Sequence, residues 1–137
     1  MPLNAPLQEL WLNNCKHLTK LSLNAPNLTL LHIGGCKSLG RVALRCPRLT
    51  QLLANLCFRL GEIEAEEVVL PRLEALNAFG CRQLGAGDLA ALVGRSPALR
   101  HLNLNGCAQL AALELPDHPE LRSLDVSGCK GVVAVRV

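Results

Sequence analysis

Pro26-Asn27-Leu28-Thr29-Leu30-Leu31-His32-Ile33-Gly34-Gly35-Cys36 is the phrase on which the fold turns. Its skeleton returns as Pro47, Leu49, Leu52, Ala54 and Cys57, as Pro71, Leu73, Leu76, Ala78 and Cys81, and twice more, from Pro97 to Cys107 and from Pro119 to Cys129. Pro to Cys is ten residues in all five, whereas the interval from Cys to the next Pro runs 11, 11, 14, 16 and 12, starting from Cys15. A rigid half therefore alternates with a variable half. In the rigid half the last two apolar anchors stand two apart, the strand period that sends both side chains to one face, while the first enters from the preceding bend. A coil of some twenty residues cannot bury that face alone, so neighbours must stack, and their strands must form a parallel sheet along a solenoid. The proline stands before each strand, where its missing N–H removes no ladder bond.

Apolar residues also recur in the variable half: Leu18, Leu21 and Leu23 after Cys15, Leu39, Val42 and Leu44 after Cys36, Leu60, Ile63 and Ala65 after Cys57. Leu110, Leu113 and Leu115 follow Cys107, and Val132, Val135 and Val137 follow Cys129. These returns are too short for a multi-turn helix, and the spacing predicts strand-like or irregular backbone. The return after Cys81 differs. Asp88 as N-cap, Leu89, Leu92 and Val93 at helical spacing, and Gly94 as a stop predict a short helix near 87–94.

Composition agrees with one repeat domain. Leucine supplies 31 of 137 residues while aromatics make up only 2%, which disfavours an aromatic-cored sandwich or a base-stacking RNA binder. Half the chain is hydrophobic, which excludes disorder. There is no run of eighteen apolar residues and no basic-then-apolar leader at Met1-Pro2-Leu3-Asn4, so neither a membrane span nor a secretion signal is expected. Seven cysteines, an odd number without a C-x-x-C pair, fit a reducing compartment, the cytoplasm or nucleus, better than a disulfide framework. Leu3-Asn4-Ala5-Pro6 repeats Leu23-Asn24-Ala25-Pro26, and Val137 falls on the coil position of Leu23. Residues 1–137 are accordingly expected to be one domain of about six coils and a segment of a longer array.

The pattern L-x-x-L-x-L-x-x-C, with C-x-x-L following, resembles the cysteine-containing class of leucine-rich repeats. That class is typical of F-box/LRR proteins, the substrate receptors of Skp1-cullin-F-box ubiquitin ligases. Leu99 to Cys107 and Leu121 to Cys129 are most similar to it, as is the helix-bearing return from Leu84 to Leu99. Leu44-Arg45-Cys46-Pro47 and its counterparts resemble the plant-type members. The resemblance covers essentially the whole chain and implies an α/β leucine-rich-repeat solenoid, right-handed and horseshoe-like. It further implies a protein-interaction module for substrate recognition in ubiquitin-dependent catabolism, reaching a Skp1-type adaptor only through an F-box that these residues do not contain. A scaffold or adaptor repeat protein outside ubiquitination is the alternative.

A row of coil thiols cannot converge tetrahedrally on one ion, so the cysteines read as buried small hydrophobes and weak donors rather than metal ligands. Cys46, standing before Pro47 outside the row, reads as the most exposed thiol. His17, His32, His101 and His118 have no partner at catalytic or metal spacing, and Gly34-Gly35 precedes a coil cysteine rather than a helix, so no enzymatic activity, cofactor or metal is expected. Function falls instead to the positions that the strand period turns outward. One such position reads Trp11, His32, Leu53, Asn77, Asn103 and Asp125, and a second includes Leu30 and His101. Phe79 lies just beyond the strand. These nine residues form the candidate partner-binding face, with Trp11 and Leu53 as anchors for an extended peptide or loop of another protein. The net charge of +3 is too mild to point to nucleic acid. Residues 1–60 carry seven Lys/Arg and one Glu, whereas residues 61–137 carry seven Lys/Arg and ten Asp/Glu. On the return side Lys20, Arg41 and Arg45 are followed by Glu62, Glu64, Glu66 and Glu67, charges expected to satisfy one another across the stack.

Overall fold

Each rigid phrase builds the same three-residue strand, and the strands line up in one sheet. The computed structural model describes residues 6–65, 70–110, 112–115, 118–130 and 134–136. Leu3, Asn4, Ala5, Glu66, Glu67, Val132 and Val137 lie outside them. Among the described residues the elements are β1 (Glu9–Trp11), β2 (Lys20–Asn24), β3 (Leu30–His32), β4 (Arg41–Arg45), β5 (Gln51–Leu53), β6 (Glu62–Ala65), β7 (Ala75–Asn77), α1 (Ala86–Gly94), β8 (His101–Asn103), β9 (Ala112–Glu114), β10 (Ser123–Asp125) and β11 (Ala134–Arg136). The strands of the five rigid phrases and β1, which precedes Cys15, form a six-stranded sheet in the order β1-β3-β5-β7-β8-β10. Every pair in it is parallel and in register, so that Leu10, Leu31, Leu52, Leu76, Leu102 and Leu124 stand in one line. The returns are strands as well, in two smaller parallel sheets, β2-β4-β6 and β9-β11. The result is a parallel-strand solenoid of about five turns with one short helix.

The helix occupies the longest return, between Cys81 and Pro97, and packs against β6 and β9, closing the gap between the two return sheets. It begins at Ala86. Gly85, not Asp88, is the N-cap, in extended conformation and without a side-chain hydrogen bond. Asp88 sits in the first turn, where its charge faces the positive end of the helix dipole. Leu89, Leu92 and Val93 are buried, the face that the spacing marks.

The core is the inward row of leucines together with the thiols. Cys36, Cys57, Cys81 and Cys107 have no exposure, and Cys129 is nearly as buried. Each thiol reaches back one coil to the carbonyl of the last strand anchor: Cys36 to Leu12, Cys57 to Ile33, Cys81 to Ala54, Cys107 to Ala78 and Cys129 to Leu104, at 2.9–3.2 Å. This is why a small apolar residue with a donor suits the position: an alanine would leave out the donor, and a serine would bury a more polar group. Burial pushes the thiols of Cys57 and Cys107 up to about 11 and that of Cys81 up to about 12, with neighbouring thiols adding repulsion. They stay protonated and inert at neutral pH.

Cys46 departs from expectation. It is fully buried, because the residue before Pro47 turns inward at the second corner of the coil, as Ala25, Leu70 and Ser96 also do before Pro26, Pro71 and Pro97. The carbonyl at this position accepts the N–H of the first leucine of the next phrase, from Leu28 to Ala25, Leu49 to Cys46, Leu73 to Leu70 and Leu99 to Ser96. The turn sends Arg48 out to solvent and leaves its two ends, Cys46 and Leu49, in the core. Cys15 is the most exposed thiol among the seven. On the return sheet Arg41 pairs with Glu62 at 3.6 Å and with Glu64, so opposed charges in adjacent coils do meet.

Candidate functional site

The outward positions of the six-stranded sheet form a continuous face, because register places like positions of successive coils side by side. Trp11 pairs with His32, His32 with Leu53, Leu53 with Asn77, Asn77 with Asn103 and Asn103 with Asp125. Neighbours in such a row are about 4.8 Å apart. The other outward row places Leu30 between Glu9 and Gln51, and His101 between Ala75 and Ser123. Eight of the nine candidate residues thus share this face. Phe79 does not: it stands in the turn after β7, off the strands.

The face has an apolar half and a polar half. Trp11 is 56% exposed, and its ring stacks on His32 with centroids 5.0 Å apart and planes inclined by 23°. The indole N–H donates to the Glu9 carboxylate at 3.1 Å. Glu9 and the imidazole thereby hold the indole in place and leave one flank open. Leu30 and Leu53 are half-buried, so that each of the first three coils sets one large apolar side chain on this face. The polar half carries Asn77, His101, Asn103 and Asp125.

The polar residues have a task inside the fold that their position in the pattern did not reveal. His32 Nδ1 accepts the N–H of Gly34 at 3.2 Å, Asn77 Oδ1 that of Phe79 at 3.0 Å, Asn103 Oδ1 that of Asn105 at 3.0 Å, and Asp125 Oδ1 that of Ser127 at 2.9 Å. Each side chain thus closes the turn leaving its own strand, in the manner of an Asx turn. Hydrogen bonds from Ser127, side chain first and backbone second, hold the Asp125 carboxyl below the ordinary carboxylate range. For His32 the bond makes Nδ1 the acceptor and leaves Nε2 as the available donor. These residues offer a partner only the atoms that the turn does not use.

Sequence reasoning missed Leu56. The residue before each coil cysteine reads Asn14, Gly35, Leu56, Gly80, Gly106 and Gly128, and all six have φ between 62° and 77°. Glycine occupies this left-handed conformation freely and asparagine with modest strain, whereas a leucine there costs about 1–2 kcal/mol. Leu56 is nevertheless present and 38% exposed. Its N–H donates to the Phe79 carbonyl at 2.6 Å, and its side chain lies across Gly80, where an added Cβ would meet Cδ2 at 2.9 Å. Leu56 and the 39% exposed Phe79 therefore make a second apolar patch beside the sheet face. A lone leucine in a column of glycine and asparagine was the available signal.

Among the described residues no three metal-capable side chains gather in one place, and no helix is long and apolar enough to cross a membrane. The chain matches no family model, no curated protein and no solved structure.

Proposed function

We propose that this solenoid is a protein-interaction module whose sheet face receives an extended segment of another protein. The observation that carries the reading is the exposed Trp11, stacked on His32, which register places next to Leu53, with Leu30 in the adjoining outward row. An open apolar stripe rimmed by polar groups is the usual mark of a binding surface, and tryptophan is a preferred anchor. Glu9 and His32 restrain the indole before any partner arrives, which lowers the ordering cost of association. On the resemblance of the repeat to F-box/LRR receptors, the captured protein is a substrate presented to a ubiquitin ligase whose catalysis resides in other subunits. The contribution of this chain is binding, not catalysis.

The test is co-purification from cells with the wild-type chain and with Leu53→Asp. The substitution places a carboxylate where the apolar half meets the polar half, at a half-buried position, so it should abolish capture while the thermal unfolding midpoint stays within a few degrees of wild type. Undiminished capture refutes the face as the site. Recovery of a Skp1-type adaptor together with a protein whose ubiquitination requires Leu53 supports the receptor reading. Capture without the adaptor supports a scaffold.

A further inference from the structure

A second surface runs along the edge where the chain leaves each strand of the large sheet. The two residues after the coil cysteine are Lys16 and His17, Lys37 and Ser38, Phe58 and Arg59, Arg82 and Gln83, Ala108 and Gln109, and Lys130 follows Cys129. All occupy turns, and all but Ser38 and Phe58 are exposed. Together with the two residues before each cysteine they form an edge that carries five of the fourteen Lys and Arg residues and none of the eleven Asp and Glu. Adjacent coils lie about 4.8 Å apart. Lys16 and Lys37 thus hold the same position in neighbouring coils, and Arg59 and Arg82 stand in the next two.

Like charges side by side are destabilising unless something neutralises them. The return sheet solves this internally, with Arg41 between Glu62 and Glu64. The edge does not: among the described residues Lys16, Lys37, Arg59 and Lys130 form no ion pair. Arg82 lies over the ring of Phe58, its guanidinium 4.6 Å from the centroid, and forms no ion pair among the described residues. In the middle of these cations lies the apolar patch of Leu56 and Phe79. Leu56 is held there against its backbone preference, and such strain persists where the surrounding structure enforces it, often at sites of recognition.

We propose that this edge docks an acidic segment of another protein, which seats one large apolar side chain on Leu56 and Phe79 and sets its carboxylates against Lys37, Arg59 and Arg82. Charge complementarity selects the partner: a row of unpaired cations around an apolar centre matches acidic residues flanking a hydrophobic anchor. A nucleic acid fits less well. Its affinity derives chiefly from phosphate neutralisation along a long basic track, and it has no apolar side chain for Leu56. The edge is separate from the sheet face, and this reading stands or falls without the one above.

The test uses the full chain and a fluorescein-labelled dodecapeptide of Glu and Asp around a central Leu-Phe pair, followed by fluorescence anisotropy. The controls are the same peptide with Lys in place of each acid, and an oligouridine dodecamer. The acidic peptide should bind, and raising salt to about 0.3 M should weaken it. Arg59→Glu combined with Arg82→Glu should lower its affinity at least about tenfold, and Leu56→Gly about threefold. Leu53→Asp should leave it unchanged. Thermal melts establish that the charge variants fold, and Lys37→Glu alone replaces the double variant if that one does not. Absence of peptide binding, binding indifferent to the edge substitutions, loss of binding in Leu53→Asp, or a preference for the oligouridine would each overturn the proposal.

Discussion

Leu52 and Leu53 are consecutive residues of one strand with opposite surroundings, and truncating each to alanine tests the inside-outside alternation on which the candidate face depends. Leu52 has no exposure and stands between Leu31 and Leu76 in the central line of the large sheet. Its replacement removes three buried carbons, about 2.4 kcal/mol at about 0.8 kcal/mol each. It also leaves a void that coils braced by ladders on both sides can close only in part, adding about 1 kcal/mol or more. The expected loss is about 3–4 kcal/mol. Leu53 is half-buried and faces outward, so about half the transfer term is lost, and water fills the space, for a total of about 1 kcal/mol. Urea unfolding of wild type and both variants, followed by circular dichroism, measures the difference as a shift of midpoint at similar slope. Leu52→Ala should be several times more damaging than Leu53→Ala. Equal losses would refute the alternation, and with it the assignment of Trp11, His32 and Leu53 to one open face.

Two further predictions follow from the core and its turns. The folded-state pKa values of Cys57, Cys81 and Cys107 are raised to about 11, 12 and 11 by burial, so the neutral thiol is the form that the fold favours. Stability should therefore be complete below the unfolded thiol value of about 8.5 and fall as pH rises toward 11–12, because the unfolded chain releases protons that the folded thiols retain. Denaturant midpoints between pH 8 and 11 under reducing conditions measure it, and a flat profile contradicts the buried, neutral thiol row. Gly80→Ala and Gly87→Ala should act in opposite directions. Gly80 has φ +72 and little room beside Leu56, predicting a loss of about 1–2 kcal/mol. Gly87 lies exposed in α1 with nothing within 4 Å of an added Cβ, predicting a gain of about 0.5–1 kcal/mol. Thermal melts of the pair read the sign directly.

Much of the architecture is present in the spacing alone. An eleven-residue phrase that occurs five times determines which leucines share a face, because strand period and stacking leave a single way to bury Leu31, Leu52 and Leu76 together. The helix in the Cys81 return was legible for the same reason: Leu89, Leu92 and Val93 have helical spacing inside the longest interval. The nine candidate residues were legible only as outward positions, which says where a side chain stands and nothing of what it touches.

What the spacing left open are matters of contact between coils. Cys46 looked exposed as a residue next to proline in a variable segment, yet the corner bond from Leu49 to its carbonyl turns it into the core. Asn77, Asn103 and Asp125 looked like free polar groups, but each closes the turn after its strand, a short-range bond that periodicity does not register. Leu56 stands out in the sequence only as a leucine among glycines and asparagine; its left-handed backbone and the stacking that lays its side chain across Gly80 belong to the tertiary structure. A one-dimensional pattern determines which face each residue takes, because that depends on local period. The company it keeps there depends on residues one coil away in space and more than twenty away in the chain, and only the tertiary structure decides that.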